Sequence, residues 1–203
     1  SLRVGIEPIE NDKYGRILHE KGIFSKTTLK YNNAVGYANK QGGILNIHEQ
    51  ILIIPAYRCY VLLDNSIDSR LQLDIEDYLH NGKAEYLPYF GKNEFSCWWE
   101  KESFKEYQIC EFDKDSTFTI SSIFYLPDNT LKESKSDFFD IFNSEKPFAY
   151  FERLPIGFIK VEDSYQYQVE KFIYSNFQIK ENADIENLYA LKTDDGVKYV
   201  QLF

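Results

Sequence analysis

Residues 44–82 read ILNIHEQILIIPAYRCYVLLDNSIDSRLQLDIEDYLHNG, and the order of elements in this stretch decides how the fold is read. The first half reads as two strands. Tyr57, Cys59, Val61 and Leu63 alternate with other residues at the period of a strand, and Pro55 interrupts the run near its middle. The second half predicts a helix over 68–81. Leu71, Ile75 and Leu79 recur at i, i+4 and i+8, and Gly82 stands where a helix C-terminus is commonly stopped.

Further strands are predicted downstream, at YQICEF (107–112) and TFTISSIFYLP (117–127). Strand, strand, helix, strand is the last part of a βαββαβ unit. Upstream, LRVGIEPIENDKYGRILHEKGIF (2–24) offers one short helix: Asn11 or Asp12 caps it, Tyr14, Ile17 and Leu18 share a face, and Gly22 ends it. The first strand and most of the first helix of such a unit are not evident there. They either lie in this irregular opening or are missing. From residue 128 the character changes. A polar connector (PDNTLKESKSD, 127–137) leads to DFFDIF (137–142), a short helix or turn. Strand-like PFAYFERL (147–154) and YQYQVEKFIYSNFQI (165–179) follow, then a closing hairpin at 188–203 turned by Asp195-Gly196.

With 203 residues the chain can bury a core without disulfide or metal staples. Its aromatic fraction is 17%, carried by 16 Tyr and 16 Phe, so rings must serve both core and contact surfaces. The net charge of −9 argues against a nucleic-acid binder that relies on its overall charge. Three cysteines, Cys59, Cys97 and Cys110, have no paired spacing. A zinc site built from them with His19, His48 or His80 has no support in the spacing either, and no cofactor is implied. No signal peptide or membrane-length apolar run is seen, so a reduced, cytoplasmic protein with free thiols is expected.

Two stretches suggest chemistry. Residues 21–48 contain Lys21, Lys26, Lys30 and Lys40 and no acid, in a chain with 32 acids, and Tyr31, Tyr37 and four asparagines are interleaved with them. Lysines neutralise phosphates, amides reach base edges and sugar hydroxyls, and tyrosine rings offer stacking faces, so this reads as a finger touching RNA or single-stranded nucleic acid. A solvated hairpin explains the same composition. The second stretch is YLPYFGKNEF (86–95). Gly91 permits close approach of a ligand, Lys92 a phosphate contact and Asn93 an amide contact. The alternative is a β-turn between aromatic segments, with Phe90 and Phe95 in the core and Lys92 solvated.

Tyr89-Phe90-Gly91-Lys92-Asn93-Glu94-Phe95 resembles a signature of the CRISPR-associated family five proteins, an aromatic-Leu-Gly-Arg/Lys-x-x-aromatic or -Cys element after the second helix. SKTTLKYNNAVGYANKQGG, followed by a strand pair ending in AYRCYVLLD, is similar to the type I-B branch of that family; the likeness covers roughly residues 1–125. It implies an α+β fold: an RRM/ferredoxin-like antiparallel sheet with an inserted β-hairpin thumb. The domain reading is a core over 1–127 with the thumb around 22–46, and a β-rich C-terminal extension over 128–203. The resemblance also implies a non-catalytic subunit of the Cascade surveillance complex that holds the 5′ handle of the guide RNA and packs on the backbone filament and the large subunit. Gly91, Lys92 and Asn93 would then fall at the handle, and Lys26, Lys30, Tyr31, Tyr37 and Lys40 on the thumb or its base.

Two rivals stay open. One branch of the family is a metal-independent endoribonuclease, for which His48, Tyr57 and Lys92 are candidates by residue type. The other is a β-rich protein-interaction module that uses its tyrosines for contact.

Overall fold

A computed structural model of the chain describes residues 2–11, 17–19, 26–33, 45–99, 104–112, 117–125, 139–140, 149–179 and 185–203. The strands in chain order begin with β1 (Leu2–Pro8), β2 (Glu10–Asn11), β3 (Ile17–His19), β4 (Lys26–Asn33), β5 (Leu45–Leu52) and β6 (Tyr57–Leu63). The helix α1 (Ser69–Asn81) follows. After it come β7 (Gln108–Cys110), β8 (Phe118–Thr119), β9 (Phe124–Tyr125), β10 (Phe139–Asp140), β11 (Ala149–Val161) and β12 (Ser164–Ser175). The last are β13 (Gln178–Ile179), β14 (Leu188–Thr193) and β15 (Gly196–Gln201).

The expected α+β, RRM/ferredoxin-like fold is not what these elements build. The described residues form six small sheets of two or three antiparallel strands, with a single helix. A ferredoxin-like sheet needs helices that bury a face against it, and α1 buries none of its residues. Its Leu71, on the apolar stripe, is exposed because no described sheet lies across that stripe, and Leu73, on another side of the helix, is exposed too. The helix and its stop were nevertheless read where they lie: Gly82 ends it at φ 59°, and at the other end Asp68 caps it through its Oδ1, which accepts from the amides of Arg70 and Leu71.

The opening differs from expectation in two respects. A strand that the reading did not find, β1, occupies Leu2–Pro8. In place of a helix, Ile17–His19 is a strand, paired with β2. The Ile-Leu pair suits a strand as well as a helix, and the rest of the expected helix, residues 12–16 and 20–22, lies outside the described residues. Phe139–Asp140, in the stretch read as a helix or turn, is likewise a strand, paired with β13.

β1 is the hub of the molecule. One edge pairs with β6, Leu2 to Leu63 through Pro8 to Tyr57. Val4 exchanges two backbone hydrogen bonds of 3.0 Å with Phe203, and the carbonyl of Ile6 accepts from the amide of Ile123 at 2.8 Å. First and last residues therefore share one structure, with β14 joining β15 to β7 alongside.

Three apolar clusters surround this junction. Tyr60, Leu191, Val200 and Leu202 form one; Phe118, Ile120, Phe124, Ile173 and Ile179 another; Ile123, Phe172 and Tyr174 the third. Among the described residues four polar side chains are buried, and all but the Ser175 hydroxyl find partners on other elements. The Ser122 hydroxyl accepts from the Gln201 amide at 2.9 Å, and the Gln201 side chain accepts from Tyr125 N at 2.6 Å and donates to Glu186 O at 2.8 Å. Glu7, also buried, accepts from the Tyr60 hydroxyl at 2.5 Å and is flanked by Arg58 at 3.3 Å and Lys198 at 3.2 Å.

Two hairpins stand out from this centre, β4–β5 and the much longer β11–β12. No described helix is long and apolar enough to cross a membrane.

Candidate nucleic-acid interface

β4 and β5 pair in register from Lys26–Leu52 to Asn33–Leu45. Directly opposed residues of an antiparallel pair lie on the same face, and successive residues on opposite faces. Lys26, Thr28 and Lys30 therefore share one face with Leu52, Gln50 and His48. Thr27, Leu29 and Tyr31 share the other with Ile51, Glu49 and Ile47. Lys30, Tyr31, Ile47 and His48 are all exposed, so neither face is covered. This explains why β4 shows no apolar period: a hairpin wet on both sides has no need of one.

The Gly91-Lys92-Asn93 segment is a tight turn. Phe95 N donates to Lys92 O at 2.9 Å, Phe90 N to Phe95 O at 2.8 Å and Cys97 N to Pro88 O at 2.9 Å. Gly91 has φ 75°, a conformation L residues rarely adopt, and a Cβ added there would meet nothing within 4 Å. Backbone conformation, not crowding by the protein, is the local reason for glycine. The turn is held from below, where Phe90 meets Tyr57 edge-on at 5.9 Å, and it presents Lys92 and Asn93 to solvent. Phe90 itself remains exposed, and Phe95 is partly buried, so neither is the fully buried core ring that a simple turn reading implied.

The two stretches singled out in the sequence meet. The Lys92 ammonium is ion-paired with the Glu49 carboxylate of β5, and that hydrogen bond raises the lysine pKa above its ordinary value, with Tyr31 and Glu94 adding smaller contributions. Turn and hairpin are joined on the face that carries Tyr31. Lys30 and His48 point to the opposite side. Lys26 is committed elsewhere: it pairs with Glu152 of β11, lies 5.3 Å above the Tyr150 ring, and has its pKa raised chiefly by the Glu152 hydrogen bond. It anchors the hairpin base to β11. Tyr37 and Lys40 lie outside the described residues.

The three nuclease candidates do not share a face. His48 and Lys92 are on opposite sides of the β4–β5 hairpin. Tyr57 packs beneath Phe90, and burial pushes its pKa up to about 12, so the phenol keeps its proton at neutral pH. Among the described residues no group of three or more His, Cys, Asp or Glu side chains is gathered to hold a metal ion.

Sequence reading missed Glu49 as the partner of Lys92. Its signal was faint, as the first acid after the acid-free stretch. No protein-family model, curated protein or solved structure matches the chain.

Proposed function

We propose that the chain is a non-catalytic RNA-binding subunit of a CRISPR surveillance complex, holding the 5′ handle of the guide RNA. The observation that carries this reading is the contact between Lys92 and Glu49, which sets the glycine-lysine-asparagine turn against the lysine- and tyrosine-bearing hairpin, whose one described acid is Glu49 itself. Two segments some forty residues apart in sequence, each chosen for its RNA-like composition, thereby form one surface. Lys92 and Asn93 contact phosphate and sugar, Tyr31 offers a ring for stacking, and Lys30 reaches backbone passing over the hairpin's other side.

The net charge of −9 is compatible with this role because binding depends on the local field, and screening cuts off distant acids beyond ~8–10 Å. The exposed Lys92–Glu49 pair is weakly held in water, so a phosphate can take the place of the carboxylate. Contacts to the backbone filament and the large subunit have a surface available in the exposed Leu71, Leu73, Tyr86, Leu87 and Trp98, on α1 and the segment after it. The same exposed apolar residues suit the rival reading, a protein-interaction module without RNA.

The test exploits two changes of opposite sign. Lys92→Glu combined with Lys30→Glu is expected to weaken retention of guide RNA by at least about tenfold with an unchanged melting temperature. Glu49→Gln, which frees Lys92, is expected to strengthen it. Unchanged retention in the double variant overturns the site. Lys26→Glu is unsuitable, since it would set two carboxylates against each other at the hairpin base.

A further inference from the structure

The β11–β12 hairpin carries a second surface that composition alone did not reveal. Its strands pair from Ala149–Ser175 to Val161–Ser164, with one extra residue, Ile156, between Pro155 and Gly157 on β11. At a rise of about 3.4 Å per residue the hairpin is roughly 40 Å long.

The bulge decides what each face displays. Below it, Phe151 and Arg153 lie on the same face as Lys171. The extra residue shifts the alternation of β11, so that above it Phe158 and Lys160 join that same face, opposite Tyr167 and Tyr165. Had Ile156 been paired in regular alternation, Gly157, Ile159 and Val161 would have taken those places. One face thus carries four rings and three cations, and no carboxylate. Glu152 and Glu170 lie on the other face, and Glu162 and Asp163 make the turn.

The rings are open to solvent: Phe158 is 65%, Tyr165 71% and Tyr167 65% exposed. Phe158 and Tyr167 form a pair with centroids 4.8 Å apart, and the Lys171 ammonium lies 4.7 Å above the Phe151 ring. Among the described residues no carboxylate is ion-paired with Arg153, Lys160 or Lys171. In a chain of net charge −9 this is a long positive stripe with aromatic rings set between the charges.

We infer that this face of the β11–β12 hairpin binds single-stranded nucleic acid, the rings stacking on bases and Arg153, Lys160 and Lys171 neutralising phosphates. The charge pattern selects a polyanion, and the solvent-exposed rings select one whose bases are unpaired. A duplex keeps its bases stacked on one another and offers these rings nothing. Side chains on one strand face recur every ~6.8 Å, so the stripe follows an extended strand without requiring a base sequence. An acidic protein would satisfy the cations and leave the rings unused. The inference is independent of the guide-RNA reading, since it rests on a different hairpin.

The test is a titration of the full chain with a short labelled uridine oligonucleotide, and with an RNA duplex of equal length, over a range of salt. Binding of the single strand is expected to weaken as salt rises, with the duplex bound more weakly. Tyr165→Ala with Tyr167→Ala should weaken single-strand binding by about tenfold or more at an unchanged salt slope. Arg153→Glu with Lys160→Glu should weaken it and flatten the slope by about 0.7 for each phosphate that is no longer neutralised. All four side chains are exposed, and far-UV circular dichroism verifies the fold of each variant. Equal binding by wild type and both double variants overturns the inference, as does absence of single-strand binding or binding of an acidic polypeptide that survives loss of the rings. Lys30→Glu with Lys92→Glu separates the two sites: if uridine binding persists there and falls in the hairpin variants, this surface stands whether or not guide RNA is held at the turn.

Discussion

Glu7→Ala is expected to lower the stability of the fold by about 3 kcal/mol, one of the two largest losses any single substitution here should give. Glu7 is almost fully buried on β1, yet it answers charges from two other strands: Arg58 of β6 and Lys198 of β15, with the Tyr60 hydroxyl donating at 2.5 Å. The carboxylate ties together the elements that meet at β1. Removing it leaves two partly buried cations facing each other and a buried phenol without its acceptor. Burial, the largest cause of its raised pKa, would remain in the variant, so the Tyr60 phenol cannot supply the missing negative charge near neutral pH. Glu7→Gln keeps an acceptor for Tyr60 and should lose less. Urea unfolding measures both, and a loss below about 1 kcal/mol for Glu7→Ala would mean that the three groups do not act as a unit.

Gly5→Ala is expected to cost about 2–3 kcal/mol, for a different reason. A Cβ at Gly5 would stand 2.6 Å from the carbonyl oxygen of Gln201 and 2.8 Å from Cδ2 of Leu202. The leucine could rotate, but the carbonyl cannot yield. Its strand is fixed by the Gln201–Ser122 hydrogen bond and by the paired bonds between Val4 and Phe203. The glycine is there because the two ends of the chain pass each other too closely for a side chain. Gly157→Ala is the control: nothing lies within 4 Å of a Cβ at that bulge, so the unfolding midpoint should barely move. Equal midpoints for Gly5→Ala and wild type would contradict the packing at this junction.

How far the sequence disclosed this arrangement depended on the range of the forces involved. Helix periodicity, stop and turn signals act within a few residues, and so the helix over 68–81, its stop at Gly82 and the Asp195-Gly196 turn could all be read directly, though the capping role of Asp68 was not. The pairs Tyr57–Leu63 and Leu45–Leu52 were likewise plain from alternation and from Pro55 between them. β1 was not. Its pattern mixes exposed and buried residues because it is bonded to β6 on one side and to the C-terminus on the other, partners that lie far away in sequence. Strand, strand, helix suggested a ferredoxin-like layer, but that order says nothing about whether the helix covers a sheet, and α1 does not.

The candidate site was legible as two compositions and not as one surface. Lys92 and the acid-free stretch could be picked out, whereas the ion pair to Glu49 depended on how the turn folds back. Lys26 drew attention by charge, and its partner Glu152 lies more than a hundred residues away. The stripe on β11–β12 escaped because the bulge at Ile156 breaks the two-residue period just where Phe158 and Lys160 change sides.

The guide-RNA reading is tested most directly by purifying the tagged chain from its own host, sequencing the RNA that accompanies it and identifying the associated proteins by mass. The account predicts short RNAs with one uniform 5′ end, together with a repeating filament subunit and a large subunit. Protein partners with no RNA, or RNA with scattered 5′ ends, would contradict it.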